Sequence, residues 1–267
     1  MIVRHASGMS RTLVQHAGLL AAITRVEFQK RYAGSVLGVS WLVLQPALLL
    51  AVYLFVYLVV FKVRFPGFSE MDFVVFVFAG LVPFLGTNEA INGAALSIKA
   101  NMHLVKNVML PIELVPVRTV MVAMTGEMVA LVLVIALCAY NGSLGPMVLA
   151  LPIAVLLQVL ALLGLAWIVA GLGVALPDVS YFISLFMFLL MFVSPIAFRL
   201  DMVPPSFRLA VYGNPVFYLL EVFRDCLIAG RQPDPRVWGV QAALSIGLFV
   251  LGAAFFRSFK SVLVDSE

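Results

Sequence analysis

Long apolar runs, separated by short stretches of turn-forming and charged residues, dominate the pattern along this chain. A run of ~20 apolar residues is long enough for a helix to cross the hydrocarbon core of a bilayer. Six segments meet this criterion with at most two charged residues in each: 41–61, 73–97, 114–140, 147–176, 181–198 and 237–256. The pattern predicts an all-α integral membrane protein with six transmembrane helices. We expect the long fourth segment to tilt or to kink at Pro152.

Two segments outside these runs face the side on which the chain begins. Residues 1–40 precede the first run, and the helical composition and basic groups of 13–32 predict an N-terminal interfacial helix. Residues 98–113 form a loop with an apolar stretch of its own. The spans and their loops then make one membrane domain, residues 41–260, followed by a short tail, 261–267.

The segment 199–236, between the fifth and sixth runs, is too apolar for a solvated loop. Charges at Glu221 and Arg224 nevertheless argue against a seventh span. The dipeptide Asn214-Pro215 is a typical turn signal in the middle of the segment. We therefore predict two short re-entrant helices that dip into the membrane from the outer side.

Composition and charge agree with this architecture. The chain has 63% hydrophobic and 11% charged residues, whereas a soluble domain has roughly 25% charged residues. Nine Lys and Arg residues lie before the first run, after the second and after the sixth, against seven on the opposite side, five of them arginines in 199–236. Because the segment before the first run usually dominates, both termini are predicted to be cytoplasmic. The net charge of +4 then belongs to loops, and no nucleic-acid signature is present. Cys138 and Cys226 belong to no metal-binding cluster, so no metal is expected, and whether they pair is left open.

The energy source for any transport is the next question. No Gly-x-x-x-x-Gly-Lys-Ser/Thr loop and no Gly-x-Gly-x-x-Gly motif occurs in the chain. Intramembrane charge is limited to Glu89, Arg118 and Glu127, and the histidines lie outside the runs, so a proton relay is disfavoured. No convergent set of catalytic groups is apparent either. The sequence therefore predicts a chain without enzymatic activity, energised by a separate subunit.

Aromatic side chains are frequent and could line a substrate path. Tyr53 and Tyr57 lie four residues apart and share one face of the first span. Phe182, Phe186 and Phe192 are spread along the fifth span. Aromatic rings can stack on sugars while a hydroxyl provides a polar partner. Lipid contact and helix packing remain the alternative interpretation for each of these five residues.

Five sequence features, in order along nearly the whole chain, resemble the permease subunits of ABC-type polysaccharide exporters. This type-2 ABC exporter class moves O-antigen, capsule and teichoic-acid polymers. The features are RYAGSVLGVSW at 31–41 with Gln45-Pro46, Glu89, LVKNVMLP at 104–111, SPI at 194–196, and Asn214-Pro215 with Glu221 and Arg224.

The resemblance implies a half-transporter in the bacterial cytoplasmic (inner) membrane. Two copies would enclose one channel, with two copies of a separate ATPase subunit beneath them, and ATP and Mg would bind to that partner and not to this chain. The resemblance implies a coupling loop at 98–113, with Leu104, Val105 and Lys106 as contact candidates, and a second contact at Asp178. It also implies an outer gate at 199–236, for which the candidate residues are Asn214, Pro215, Tyr218, Glu221 and Arg224.

The sequence therefore predicts the membrane subunit of an ATP-driven exporter of a lipid-linked polysaccharide. Arg25, Lys30 and Arg31 are candidates to attract the lipid pyrophosphate head, although ordinary cytoplasmic anchoring explains them equally well. The alternatives are a type-2 ABC exporter for a smaller amphiphile, such as a drug or lipid, and a non-transport protein of envelope assembly.

Overall fold

The computed structural model describes residues 2–60, 69–102, 111–176 and 178–265. These residues form α-helices joined by short turns and contain no β-strand. The helices are α1 (Ile2–Gln15), α2 (Ala17–Tyr32), α3 (Trp41–Leu54), α4 (Glu70–Ala100), α5 (Leu114–Tyr140), α6 (Leu151–Ala175), α7 (Val179–Val193), α8 (Arg208–Tyr212), α9 (Pro215–Leu227) and α10 (Pro235–Asp265).

The predicted all-α membrane class is confirmed. Within the described part of the chain, four helical stretches are long and apolar enough to cross a membrane: Glu70–Ala100, Leu114–Tyr140, Pro146–Ala175 and Pro235–Lys260. Two shorter apolar helices, Gly38–Tyr53 and Val179–Val193, coincide with the predicted first and fifth spans. The chain is therefore a multi-pass membrane protein, and the number of six crossings stays a prediction.

The helix α4 forms the centre of the bundle. It packs against α5, α6, α7 and α9, and its outer half from Phe73 to Phe84 is buried. A capping box starts α4, because the Asp72 amide donates to Ser69 Oγ (3.1 Å) and the Ser69 amide donates to Asp72 Oδ2 (2.9 Å). Asn141 Nδ2 donates to Asp72 Oδ1 at 2.7 Å, which joins the end of α5 to the start of α4.

The break in the fourth predicted span differs from the expectation. Residues Pro146–Ala150 form a 3-10 turn, and α6 begins directly after it at Leu151. Pro152 lies in the first turn of α6. Backbone amides in the first turn make no hydrogen bond within the helix, so the missing amide hydrogen of proline costs nothing there. Pro152 therefore starts a helix and does not kink one.

The predicted N-terminal helix is present but is divided in two at His16. In α1, Met9 is almost fully buried, and the helix packs along α10. The helix α2 buries no residue and contacts α5, where Arg118 Nη1 lies 3.4 Å from Glu27 Oε2.

The outer segment contains two short helices, α8 and α9, separated at Asn214 as predicted. Asn214 caps α9, because its Oδ1 accepts from the Val216 amide at 3.0 Å, and Pro215 occupies the first turn. α9 packs against α4, α6 and α10, so the segment is docked on the bundle.

Candidate functional site

Arg224 on α9 is fully buried (0% exposed) at the centre of the outer segment. Its Nη2 donates to the backbone oxygens of Pro195 and Ile196 at 2.7 and 2.8 Å, and its Nε donates to that of Phe76 at 3.3 Å. Its Nη1 donates to Glu221 Oε1 at 2.9 Å. The guanidinium carbon also lies 3.6 Å from the centroid of the Phe76 ring. One side chain thus joins α9, α4 and the loop that follows α7.

A second set of charges surrounds this arginine and ties α9 to α10. Arg231 forms ion pairs with Glu221 and with Asp225, and its Nε donates to Asp225 Oδ1 at 3.0 Å. Trp238 Nε1, on α10, donates to Asp225 Oδ2 at 3.1 Å. Both acids therefore have basic or polar partners despite their low exposure, as buried charges require.

Two further gate candidates complete the outer network. Asn214 Nδ2 donates to Ser194 Oγ at 2.9 Å, so the cap of α9 also holds the end of α7. Tyr218 donates from its hydroxyl to the Tyr212 backbone oxygen at 2.9 Å, which links α9 to α8. The gate candidates predicted from the sequence thus lie in one segment, and Asn214, Glu221 and Arg224 fix its position.

An outer cavity of about 510 Å³ opens beside this network. Its lining combines arginines and acids with apolar groups: Phe76, Arg199, Leu200, Asp201, Arg208, Phe217, Glu221, Ile228 and Arg231. Arg199 Nη2 lies 2.9 Å from Asp201 Oδ2, and Arg208 Nε donates to the Val203 backbone oxygen at 3.1 Å. The charges of this cavity are largely paired within the chain.

A larger inner cavity of about 660 Å³ lies between α3, α4 and α5, with the end of α2 at its mouth. Most of its wall is apolar, and its polar lining residues are Arg31, Tyr32, Gln45, Asn88, Glu89 and Glu127. Tyr53 packs edge-on against Phe78, which lines the cavity, with their ring centroids 5.7 Å apart.

The mouth of the inner cavity is marked by an ion pair between Arg31 on α2 and Glu89 on α4. Both side chains are a little more than one-third exposed. Burial alone would lower the pKa of the Arg31 guanidinium, but the hydrogen bond and charge of Glu89 together raise that pKa above its usual value. Arg31 therefore remains a cation.

Deeper in the wall, Glu127 is only 4% exposed and lies beside Gln158, which is 1% exposed. Gln158 Nε2 donates to Glu127 Oε2 (2.9 Å), to the Pro83 backbone oxygen (3.0 Å) and to Thr87 Oγ1 (3.2 Å). Within the described residues, Glu127 Oε1 and Gln158 Oε1 have no hydrogen-bond partner. This cluster joins α4, α5 and α6 through one amide group.

The aromatic candidates do not converge on one surface. Phe182, Phe186 and Phe192 on α7 are 71%, 59% and 64% exposed, so they point away from the bundle of this single chain. Tyr53 is half-buried against α4. Tyr57 belongs to the π-helical turn Phe55–Val60, and its side chain lies outside the described residues. The structure thus places Tyr53 and the three phenylalanines on different surfaces.

Comparison with known proteins decides the family. The model of the ABC-2 type transporter family matches residues 18–228, which include the residues that line the inner cavity and Arg224 with its direct hydrogen-bond partners. The chain belongs to the ABC-2 type transporter family.

Three curated relatives are similar over nearly their whole length. The O-antigen export system permease protein RfbA of Myxococcus xanthus is 28% identical, over 96% of this chain and 98% of its own. An RfbA protein of the same description from Klebsiella pneumoniae is 26% identical, over 91% and 92%. The polysialic acid transport protein KpsM of Escherichia coli is 22% identical, over 90% and 93%.

In this ABC-2 transporter chain, the predicted coupling residues Leu104, Val105 and Lys106 lie outside the described residues. The helix that follows them is anchored at its start, because Lys260 Nζ lies 2.6 Å from Glu113 Oε1 and Trp167 Nε1 donates to the Glu113 backbone oxygen at 3.1 Å. Asp178 occupies the N-cap position of α7 without a side-chain cap. A coupling role for these residues stays a prediction.

The other basic candidates on α2 differ from Arg31. Arg25 and Lys30 are exposed and do not line the inner cavity. Arg31 is thus the lipid-head candidate that the fold brings to a cavity.

The two cysteines do not pair in this structure. Cys138 and Cys226 are both buried free thiols.

Sequence reasoning missed several polar residues that organise these sites. Gln158 is the polar side chain in the middle of an otherwise apolar run, and that isolation was a usable signal. Arg231, Asp225 and Trp238 carried no such signal, because charged and aromatic residues are common in a segment that joins two membrane helices. Gly86 was also missed, although a Cβ there would lie 1.8 Å from Glu127 Oε2.

Proposed function

We propose that this chain is the permease subunit of an ATP-driven exporter of a lipid-linked polysaccharide. The observation that carries the proposal is the similarity to permeases for two different polymers, O-antigen and polysialic acid, across at least 90% of this chain. The family match extends from α2 through α9 and covers the inner cavity and most of the outer network, far more than a small shared motif would cover.

The energy for this export comes from a separate ATPase subunit. The chain contains no phosphate-binding loop (P-loop). In ATPases of this kind, the P-loop positions ATP and Mg²⁺. Two ATPase copies would bind on the cytoplasmic side, at the loop 98–113 and at Asp178. Lys260, Glu113 and Arg118 would brace the start of α5 just behind that loop.

A second copy of the chain completes the permease. The helix α7 exposes a row of large apolar side chains, including Phe182, Phe186 and Phe192, and Val52 of α3 and Phe55 just after it are also exposed. Exposed apolar patches of this size on a membrane protein contact either lipid or another subunit. In a dimer, these faces would meet the partner copy and enclose the translocation path.

The substrate path runs from the inner cavity toward the outer network, across the bacterial cytoplasmic membrane. The inner cavity combines apolar walls with Gln45, Asn88 and Tyr32, which offer hydrogen bonds to a carbohydrate. The buried charges around Arg224 hold the outer helices closed over the bundle. Both termini and the mouth at Arg31 then face the cytoplasm.

Deletion of the gene in its source bacterium tests this function. Newly made polymer should disappear from the cell surface and accumulate inside the cell, still linked to its lipid. The wild-type gene should restore surface polymer. The same gene should not restore it in a strain whose ATPase partner carries a substitution of its P-loop lysine. Normal surface polymer in the deletion strain would overturn the proposal, and altered export of a small amphiphile there would favour the alternative.

A further inference from the structure

Arg31 lies at the edge of the inner cavity, at the end of α2. It lies in the last turn of α2 and lines the mouth of the inner cavity beside Tyr32. Among the described residues that line this cavity, Arg31 is the single basic side chain, and the acids are Glu89 and Glu127. An anion that approaches the cavity therefore meets one guanidinium.

The walls behind Arg31 indicate what kind of anion would fit. They are mainly leucine and valine side chains: Leu42, Leu48, Leu49, Val52, Val82, Leu85 and Leu133. A cation at one end and apolar walls along about 660 Å³ suit an amphiphile with an anionic head and a hydrocarbon chain. Free inorganic phosphate would leave these apolar walls unoccupied.

The Arg31–Glu89 ion pair can be displaced. Both partners are more than one-third exposed, and ion pairs at such positions contribute little net stability. A guanidinium binds phosphate through two parallel hydrogen bonds. A diphosphate carries more negative charge than the single carboxylate of Glu89, so it should compete effectively for Arg31.

We propose that Arg31 binds the phosphate or diphosphate head of the lipid-linked substrate, and that Glu89 is an internal competitor that occupies Arg31 while the site is empty. This inference rests on the proposed function and deepens it. Under this proposal, Arg31 and Glu89 have opposite effects on the affinity for the head group. Arg31 attracts the head group, and Glu89 keeps weaker anions from binding to Arg31.

Binding of undecaprenyl diphosphate to the full chain in phosphatidylcholine nanodiscs tests the proposal. Glu89→Gln should bind this lipid at least roughly threefold more tightly, because Arg31 is released from its competitor. Arg31→Gln should bind it about tenfold more weakly, because the charge-assisted hydrogen bonds are lost. Arg31→Lys keeps the charge but loses the two parallel hydrogen bonds of the guanidinium. Its affinity should therefore fall between those of the wild type and Arg31→Gln.

Two matched variants on α2 control for charge alone. Arg25→Gln removes the same charge one and two-thirds turns earlier, and Glu27→Gln removes a carboxylate that pairs with Arg118. Both should leave the affinity within about twofold, since neither residue lines the cavity. Equal weakening by Arg25→Gln and Arg31→Gln would overturn the site in favour of general surface attraction. Thermal melting of each variant verifies that it is folded.

Competition with phosphatidylglycerol separates the two possible sources of a phosphate head. The proposal predicts that phosphatidylglycerol displaces undecaprenyl diphosphate only at a large excess. Equal affinity for the two lipids would overturn it in favour of a general phospholipid site. Equal loss of binding in Glu89→Gln and Arg31→Gln would also overturn it, since a merely structural ion pair predicts that result. In either case, continued surface export by these variants would leave the exporter function intact.

Discussion

Arg224 is the residue on which the outer segment depends most. Its guanidinium is fully buried and donates to three backbone oxygens in two other elements, as well as to Glu221. Its planar fork of donors suits this pattern, whereas a lysine ammonium cannot reach several fixed carbonyls in one plane. Both the charge and the shape of Arg224 therefore stabilise the docking of α9.

We expect Arg224→Lys to destabilise the protein by about 2–4 kcal/mol, because at least two buried carbonyls lose their donor. The melting temperature in detergent, followed by size-exclusion chromatography after heating, measures this effect. Arg236→Lys is the control, since Arg236 is exposed at the start of α10. Equal melting temperatures for Arg224→Lys and the wild type would show that the carbonyl contacts carry no stability.

Gly86 makes room for the buried carboxyl of Glu127. An added Cβ would lie 1.8 Å from Glu127 Oε2 and 2.7 Å from its carboxyl carbon. That carboxyl accepts from Gln158, which limits how far it can move away. Gly86→Ala should therefore cost about 1–3 kcal/mol of stability through overpacking.

Gly126 provides a matched control for that substitution, because it lines the same cavity but has nothing within 4 Å of an added Cβ. Gly126→Ala should raise stability by about 0.5–1 kcal/mol, as alanine usually does within a helix. The two thermal melting temperatures should thus move in opposite directions. A drop of similar size in both variants would contradict the assigned role of Gly86.

At the scale of elements, α6 and α10 approach each other closely where they cross. A Cβ at Gly252 would lie 2.1 Å from the Gly164 backbone oxygen, and a Cβ at Gly164 would lie 2.1 Å from that of Leu248. Small residues at such crossings let two backbones pack directly, which is a principal source of helix association in membranes. The glycines therefore set the distance between these two spans.

Gly252→Ala should separate α6 from α10 and reduce the yield of folded protein, because the clash is with backbone and cannot be relieved by a side-chain rotation. Fluorescence-detected size-exclusion chromatography of a tagged chain measures that yield. Gly247→Ala lies on the same helix with nothing within 4 Å of its added Cβ and should behave as wild type. A monodisperse peak of unchanged height for Gly252→Ala would refute this packing argument.

The elements that could be predicted from sequence are those with a strong local signal. Apolar runs located the long helices, and Asn214-Pro215 located the division between α8 and α9. The break at His16 and the 3-10 turn Pro146–Ala150 were not predicted. The turn packs against α9, a contact between distant parts of the chain that a local pattern does not reveal. Arg224 and the segment 194–196 were each identified from sequence, but their contact was not, because Pro195 and Ile196 lie 29 and 28 residues away from Arg224 along the chain.

At the scale of the whole molecule, burial is uneven. The helix α4 is largely enclosed, whereas α7 exposes one large apolar side chain after another. The exposed apolar face of α7 therefore suggests a surface for a second copy. The proposed dimer would convert the exposed face of α7 into an interface.

A bifunctional maleimide should link two copies of Phe186→Cys through α7, because the proposed dimer brings these faces together. Replacement of the native Cys138 and Cys226, both buried, by alanine removes background reaction. Ile246→Cys, on α10, is 56% exposed and serves as the control on an apolar face outside the proposed interface. A dimer band for Ile246→Cys but not for Phe186→Cys would place the interface elsewhere.

The central claim is that this chain moves a lipid-linked polysaccharide only together with a separate ATPase. The most direct measurement uses proteoliposomes that contain the chain, its ATPase partner and the lipid-linked polymer. An impermeant glycosidase then reports how much polymer has crossed the bilayer. The account predicts transfer that requires ATP and both proteins, with none for the chain alone. Transfer by the chain alone, or transfer that is the same with and without ATP, would contradict it.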